Sequence, residues 1–118
     1  MSSQTWPIIL NLIASLFGAF GQYFYKLGSQ RLKEVPLFMN WQIAVGVVSF
    51  TAVMVLFVIS FKMGGKISTT FPVYASTFLW GTMIGVFVEK ESFHNIQWLG
   101  VILVVAGITL VSSFATAN

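Results

Sequence analysis

The chain has 118 residues, of which 57% are hydrophobic and only 8% are charged, with a formal net charge of +3 and no cysteine. Soluble domains carry about 25% charged residues, so this composition excludes a water-facing surface and indicates a chain surrounded by lipid. The lack of cysteine excludes a disulfide framework and a thiolate metal site. The positive charge is not clustered, so we expect no nucleic-acid partner.

Four apolar stretches follow one another along the chain, each long enough to cross a membrane, since a span needs about 20 residues. The predicted helices cover residues 6–26, 41–61, 67–88 and 96–114. They predict an all-α membrane protein with a single four-helix domain over residues 1–118. The connecting loops are short, so we expect consecutive helices to be antiparallel. The first and third loops then lie on one side of the membrane, and both termini and the second loop lie on the other.

The first helix carries a polar stripe, because Asn11, Ser15, Gly18, Gln22 and Lys26 follow at steps of three or four residues and share one face. Polar residues inside a span usually face a cavity or the protein interior. We predict that this face lines a substrate path that ends at a cation. The alternative is a packing seam, in which the small residues admit another helix. Lys26 suits a phosphate or carboxylate, although its long stem also allows it to snorkel to the interface.

The third and fourth helices carry features of shape rather than of charge. Pro72 lies inside the third helix and predicts a kink. Two glycine pairs predict close helix packing, within a protomer or between protomers: Gly81 with Gly85, and Gly100 with Gly107.

The three acidic residues, Glu34, Glu89 and Glu91, all lie at or near predicted loops. A carrier that couples to protons through an intramembrane carboxylate therefore has no obvious candidate. No catalytic or metal-binding arrangement emerges either, so we expect a protein that is not an enzyme and has no cofactor.

Lysine and arginine are nearly balanced between the two sides. One side holds Lys26, Arg31, Lys33 and Lys90, and the other holds Lys62 and Lys66. The positive-inside rule places the termini outside the cytoplasm. If Lys26 is counted within the helix, however, the count of lysine and arginine becomes three on one side against two on the other. Such a chain suits insertion in both orientations. Because four helices enclose little space, we expect a dimer, either a homodimer (possibly antiparallel) or a heterodimer with a paralogous subunit.

The second half resembles the repeat of the drug/metabolite transporter superfamily, the EamA-type half. The resemblance is carried by residues 71–74 (Phe-Pro-Val-Tyr), Trp80, the acid Glu91, and residues 97–107, which end in a G-x-x-L-x-x-A-G pattern. Single four-helix members of that superfamily include the small multidrug resistance proteins and the ArnE/ArnF-type subunits. Residues 21–26 resemble the G-Q-x-x-x-K of ArnE-like subunits, whereas the helix-one glutamate of the small multidrug resistance proteins has no counterpart between Trp6 and Lys26.

The resemblance implies a flippase subunit for a sugar carried on undecaprenyl phosphate, in a bacterial cytoplasmic (inner) membrane. Lys26 with Gln22 would hold the phosphate, and Asn11 and Ser15 would line the path of polar head groups. Pro72 and the stretch from Tyr74 to Trp80 would supply a bent helix that faces the same cavity, with a structural or gating role for Glu91. Two alternatives remain open: an exporter of a small metabolite or hydrophobic cation, and a non-transporting accessory subunit.

Overall fold

The computed structural model describes residues 4–115, and all regular structure in that range is helical. The α-helices are α1 Thr5–Ser29, α2 Trp41–Lys62, α3 Ile67–Tyr74, α4 Thr77–Met83 and α5 Asn95–Ser113, with a 3-10 turn at Leu37–Met39 and a π-helical turn at Ile84–Val88. Together, α3, α4 and the π-helical turn make one span. Residues 4–115 thus contain four helices long and apolar enough to cross a membrane. This confirms the predicted all-α fold and is consistent with an integral membrane protein.

Side-chain hydrogen bonds show which helix ends lie together. At one end, Gln4 donates from Nε2 to the carbonyl of Gly64 at 2.9 Å and accepts at Oε1 from the backbone N–H of Lys66 at 3.0 Å. At the other end, Asn40 donates to the carbonyl of Gly28 at 2.8 Å, and its side-chain oxygen caps the first turn of α2. The start of α1 therefore lies beside the second loop, which is the sidedness that the short loops predict.

The buried face of α1 consists of small and polar residues. Asn11 and Ser15 are 0% exposed, and Gly18 is buried as well. Large apolar side chains on the opposite face, such as Leu16 and Phe20, are exposed. In water the burial of apolar surface drives folding, whereas helices in lipid associate through small residues and hydrogen bonds. The burial pattern of α1 is therefore that of a membrane helix, with its small, polar face inward.

Glycines let α1 and α2 approach closely. Gly46 of α2 faces the ring of Tyr25, and Gly21 of α1 faces Phe50, so a Cβ at either glycine would overlap the facing ring. Tyr25 and Phe50 stack with their ring centroids 5.3 Å apart. Small residues and one aromatic pair thus form the seam between α1 and α2. Neither glycine was a predicted packing position; those are Gly18, in the packing-seam alternative for α1, and the two glycine pairs of the third and fourth helices.

The third span is interrupted shortly after Pro72, where a kink is predicted. The backbone N–H groups of Ala75 and Ser76 bond three residues back, at 2.9 and 3.0 Å, instead of four, and this turn separates α3 from α4. Beyond it, Trp80 donates from Nε1 to Oγ of Ser15 at 3.0 Å. The indole therefore ties the second part of the span to the middle of α1.

The fourth span lies at the margin of the fold. α5 has no buried residue, and its main contacts are with α3 and α4. Apart from the adjoining part of α5 itself, a Cβ at Gly100 or Gly107 would meet no atom of the described chain within 4 Å. These two glycines therefore do not pack against another helix of the same protomer, and packing between protomers stays a prediction.

Candidate functional site

An ion pair joins the two charged residues that the sequence singles out. Lys26 lies in the last turn of α1, and its Nζ is 2.5 Å from Oε2 of Glu91, in the loop before α5. The side chains are 41% and 52% exposed, so the pair lies at the edge of the bundle. It connects the end of the first span with the loop after the third.

Glu91 reaches Lys26 because the chain reverses sharply after the third span. In the π-helical turn, the N–H of Glu89 bonds five residues back at 3.1 Å, and Lys90 then takes a left-handed conformation with φ of 57°. The N–H of Glu91 bonds to the carbonyl of Gly85 at 3.0 Å. π-Helical turns are rare and frequently occur at functional sites. Here the turn directs a carboxylate back over the end of the helix.

Two of the predicted packing glycines shape this region. The atoms nearest to a Cβ at Gly85 belong to the Glu91 carboxylate rather than to another helix, so the missing side chain makes room for that carboxylate. Gly81 faces open space and forms part of a cavity wall. In this conformation both glycines provide space at the site.

A cavity of about 650 Å³ lies between α1 and the third span, and Glu91 forms part of its wall. Polar groups come from Gln22, Tyr74, Thr77, Thr82 and Glu91, and aromatic rings from Phe50, Phe78 and Phe93. A smaller cavity of about 150 Å³ adjoins it, with walls that include Gln22, Lys26, Glu89 and Glu91. Ligand pockets typically have about 300–1,000 Å³ and mostly apolar walls with a few polar groups. The larger cavity fits that description.

Four predicted site residues meet at these cavities. Gln22 and Glu91 are in both walls, Tyr74 is in the wall of the larger cavity, and Lys26 is in that of the smaller one. The hydroxyl of Tyr74 lies against Gly18, where any Cβ would overlap it. The structure therefore places charged groups at one end of the cavity and a phenol against the backbone of α1.

Three other predicted site residues are not in these walls: Asn11, Ser15 and Trp80. Asn11 donates to the carbonyl of Pro7 at 2.8 Å and to Oγ of Ser60 at 3.1 Å, and Ser15 accepts the bond from Trp80. This is the packing seam that stands as the alternative for this face. A role for the three residues in lining a substrate path stays a prediction.

Several wall residues of the third span were not predicted as individual site residues, although their spacing carries a signal. Counted from Tyr74, they follow after three, four and eight residues: Thr77, Phe78 and Thr82, while Gly81, a predicted packing glycine, follows after seven. That spacing is typical of one helix face. The span is apolar on its other faces as well, which hides the pattern. Pro72 is in neither wall and lies just before the interruption that precedes these residues.

The chain matches no protein-family model, no curated protein and no solved structure. Its class therefore rests on the fold and the cavity. Residues 4–115 form a four-span helical fold, consistent with an integral membrane protein, with an ion pair beside a cavity of mixed polar and aromatic walls.

Proposed function

We propose that this chain is a transporter subunit that moves a polyprenyl-phosphate-linked sugar, or a related lipid phosphate, between the leaflets of a bacterial inner membrane. The observation that carries the proposal is the Lys26–Glu91 ion pair beside the cavity between α1 and the third span. A phosphate offers a lysine ammonium charge-assisted hydrogen bonds like those of a carboxylate. The resemblance of residues 21–26 to ArnE-like subunits supports the same substrate class.

The ion pair suits exchange with a head group because both partners reach water. Exposed ion pairs contribute little stability, so a phosphate can replace Glu91 on Lys26 while the carboxylate turns to solvent. Gln22 lies one turn before Lys26, and its amide can donate to head-group oxygens. We place the chain in a dimer, with itself or with a paralogous subunit, because four helices leave little room for a closed path.

The test is translocation of a fluorescent undecaprenyl-phosphate-linked sugar in liposomes that contain the purified chain. Lys26→Met keeps most of the side-chain length and removes the charge, so we expect transport to be lost. Glu91→Gln releases Lys26, so half-maximal transport should need less substrate. Lys33→Met removes an exposed charge from the first loop and is the matched control. Unchanged transport in a folded Lys26→Met variant would refute the assignment.

A hydrophobic cation is the second candidate substrate, because the site also offers carboxylates. An oxygen of Glu89, Oε1, is buried without a hydrogen-bond partner among the described residues, and Glu89 and Glu91 both line the smaller cavity. The rings of the larger cavity suit an organic cation. The variants then act in the opposite direction: Lys26→Met should strengthen the binding of a fluorescent cation, and Glu91→Gln should weaken it.

A further inference from the structure

We infer that a groove between the third span and α5 binds the hydrocarbon chain of the lipid phosphate. This inference rests on the proposed function, which assigns the phosphate head group to the region of Lys26 and assigns no site to the hydrocarbon chain of the lipid. The groove has a volume of about 360 Å³. Its occupant is one isoprenoid chain that is covalently attached to the bound phosphate.

The groove is continuous with the head-group cavity. Phe78, Thr82 and Phe93 belong to the walls of both. On the far side, α5 contributes Gln97, Gly100, Val101 and Val104. A molecule bound beside Glu91 can therefore extend past the two phenylalanine rings into a space that is largely apolar.

The groove also has the direction that a lipid requires. α5 begins at Asn95, near the same end as Glu91, so its wall runs from the charged end into the membrane. From Gln97 to Val104, α5 advances about 10 Å at a rise of about 1.5 Å per residue. Half of the hydrocarbon core is about 15 Å thick. A lipid in the leaflet that contains the Lys26–Glu91 end of the bundle has its phosphate at the membrane surface. Its first isoprene units would then lie along the α5 wall of the groove.

Gly100 supplies space within the groove. Apart from the adjoining part of α5 itself, no atom of the described chain lies within 4 Å of a Cβ at this position, and α5 has no buried residue. The outer wall is therefore a single helix beside the bilayer, and an isoprenoid chain can enter sideways from the lipid. This explains how a small bundle can handle a long-chain substrate while it encloses only the head group.

The first measurement uses the unaltered chain in phosphatidylcholine nanodiscs, with farnesyl phosphate that carries a diazirine in its second isoprene unit. Mass spectrometry of the cross-linked peptides should place the label on groove residues such as Val101 and Val104. Unlabelled undecaprenyl phosphate should reduce this labelling at least tenfold, and undecaprenol, which lacks the phosphate, should not. Label spread evenly over the exposed side of α5, and insensitive to the competitor, would overturn the inference.

Gly100→Leu would fill the groove, and Gly107→Leu is its matched control, on the same helix face and outside the wall. We expect Gly100→Leu to weaken labelling and undecaprenyl phosphate binding at least tenfold, and Gly107→Leu to change neither. Equal losses in both variants, accompanied by conversion of dimers to monomers, would show an interface between copies and overturn the groove.

The groove and the proposed function fail in different ways. Competed labelling of the groove in a chain that translocates nothing would support the groove and refute a flippase formed by this chain alone. Translocation that is lost in Lys26→Met but unchanged in Gly100→Leu would support the flippase and refute the groove.

Discussion

The hydrogen bond between Trp80 and Ser15 gives a quantitative test of how the third span is attached to α1. The indole Nε1 lies 3.0 Å from Oγ of Ser15, which itself donates to the carbonyl of Leu12 at 2.5 Å. Trp80→Phe removes the indole donor and leaves the bond to Leu12 in place, so no buried donor is orphaned. Interhelical bonds of this kind in membranes contribute on average about 0.6 kcal/mol, with a maximum of about 1.7.

A double-mutant cycle isolates this bond from the loss of ring area. We expect Trp80→Phe, Ser15→Ala and the double variant to give a coupling energy of about 0.6–1.7 kcal/mol, measured by reversible unfolding in mixed detergent micelles. Non-interacting sites are additive within about 0.3–0.5 kcal/mol, so coupling below that range would refute the bond. If both residues also line a substrate path, the single variants should change the substrate concentration for half-maximal transport as well.

Three further pairs of variants test other parts of the fold by the same unfolding assay. Asn40→Ala removes both the cap of α2 and a bond to a backbone carbonyl of α1, so it should cost about 1–2 kcal/mol; Asn40→Ser keeps a capping oxygen and should cost less. Lys90→Gly relieves a left-handed conformation and should be about 1 kcal/mol more stable than Lys90→Ala, and the reverse order would contradict the reversal after the third span. Gly46→Val should displace the Tyr25 ring and cost about 1–3 kcal/mol, whereas Gly81→Ala enters open space and should cost far less.

The general fold was predictable because charged residues are nearly absent from the spans, and because the polar residues of α1 recur at helical spacing. The four spans and the inward face of α1 follow from these two patterns. Pro72 marked the interruption of the third span for a local reason, since it lacks a backbone N–H. What local patterns cannot supply is the partner of each residue. Trp80 and Ser15 are 65 residues apart, and no spacing relates them.

The candidate site was predictable in part for the same reason. Lys26 and Gln22 belong to the stripe on α1, Tyr74 and Glu91 entered through the resemblance, and the structure brings all four together. Phe50 and Phe93 of the cavity wall were not predicted, because phenylalanine is common throughout an apolar chain and does not stand out from its neighbours. The place of Gly85 beside a carboxylate depends on a chain reversal that residue spacing does not reveal.

The inward face of α1 has a consequence for biogenesis. Its buried residues bond with Ser60 of α2 and Trp80 of α4, both of which are synthesised later. The third span ends at Val88. At about 5–20 residues per second, its synthesis is complete roughly 3–12 s after that of α1. Until then Ser15 lies in a membrane or in the insertion machinery without the bond from Trp80, and Asn11 lacks its bond to Ser60 until α2 has been made. A protein or lipid that shields this face during synthesis would raise the yield of folded chain without altering the finished protein.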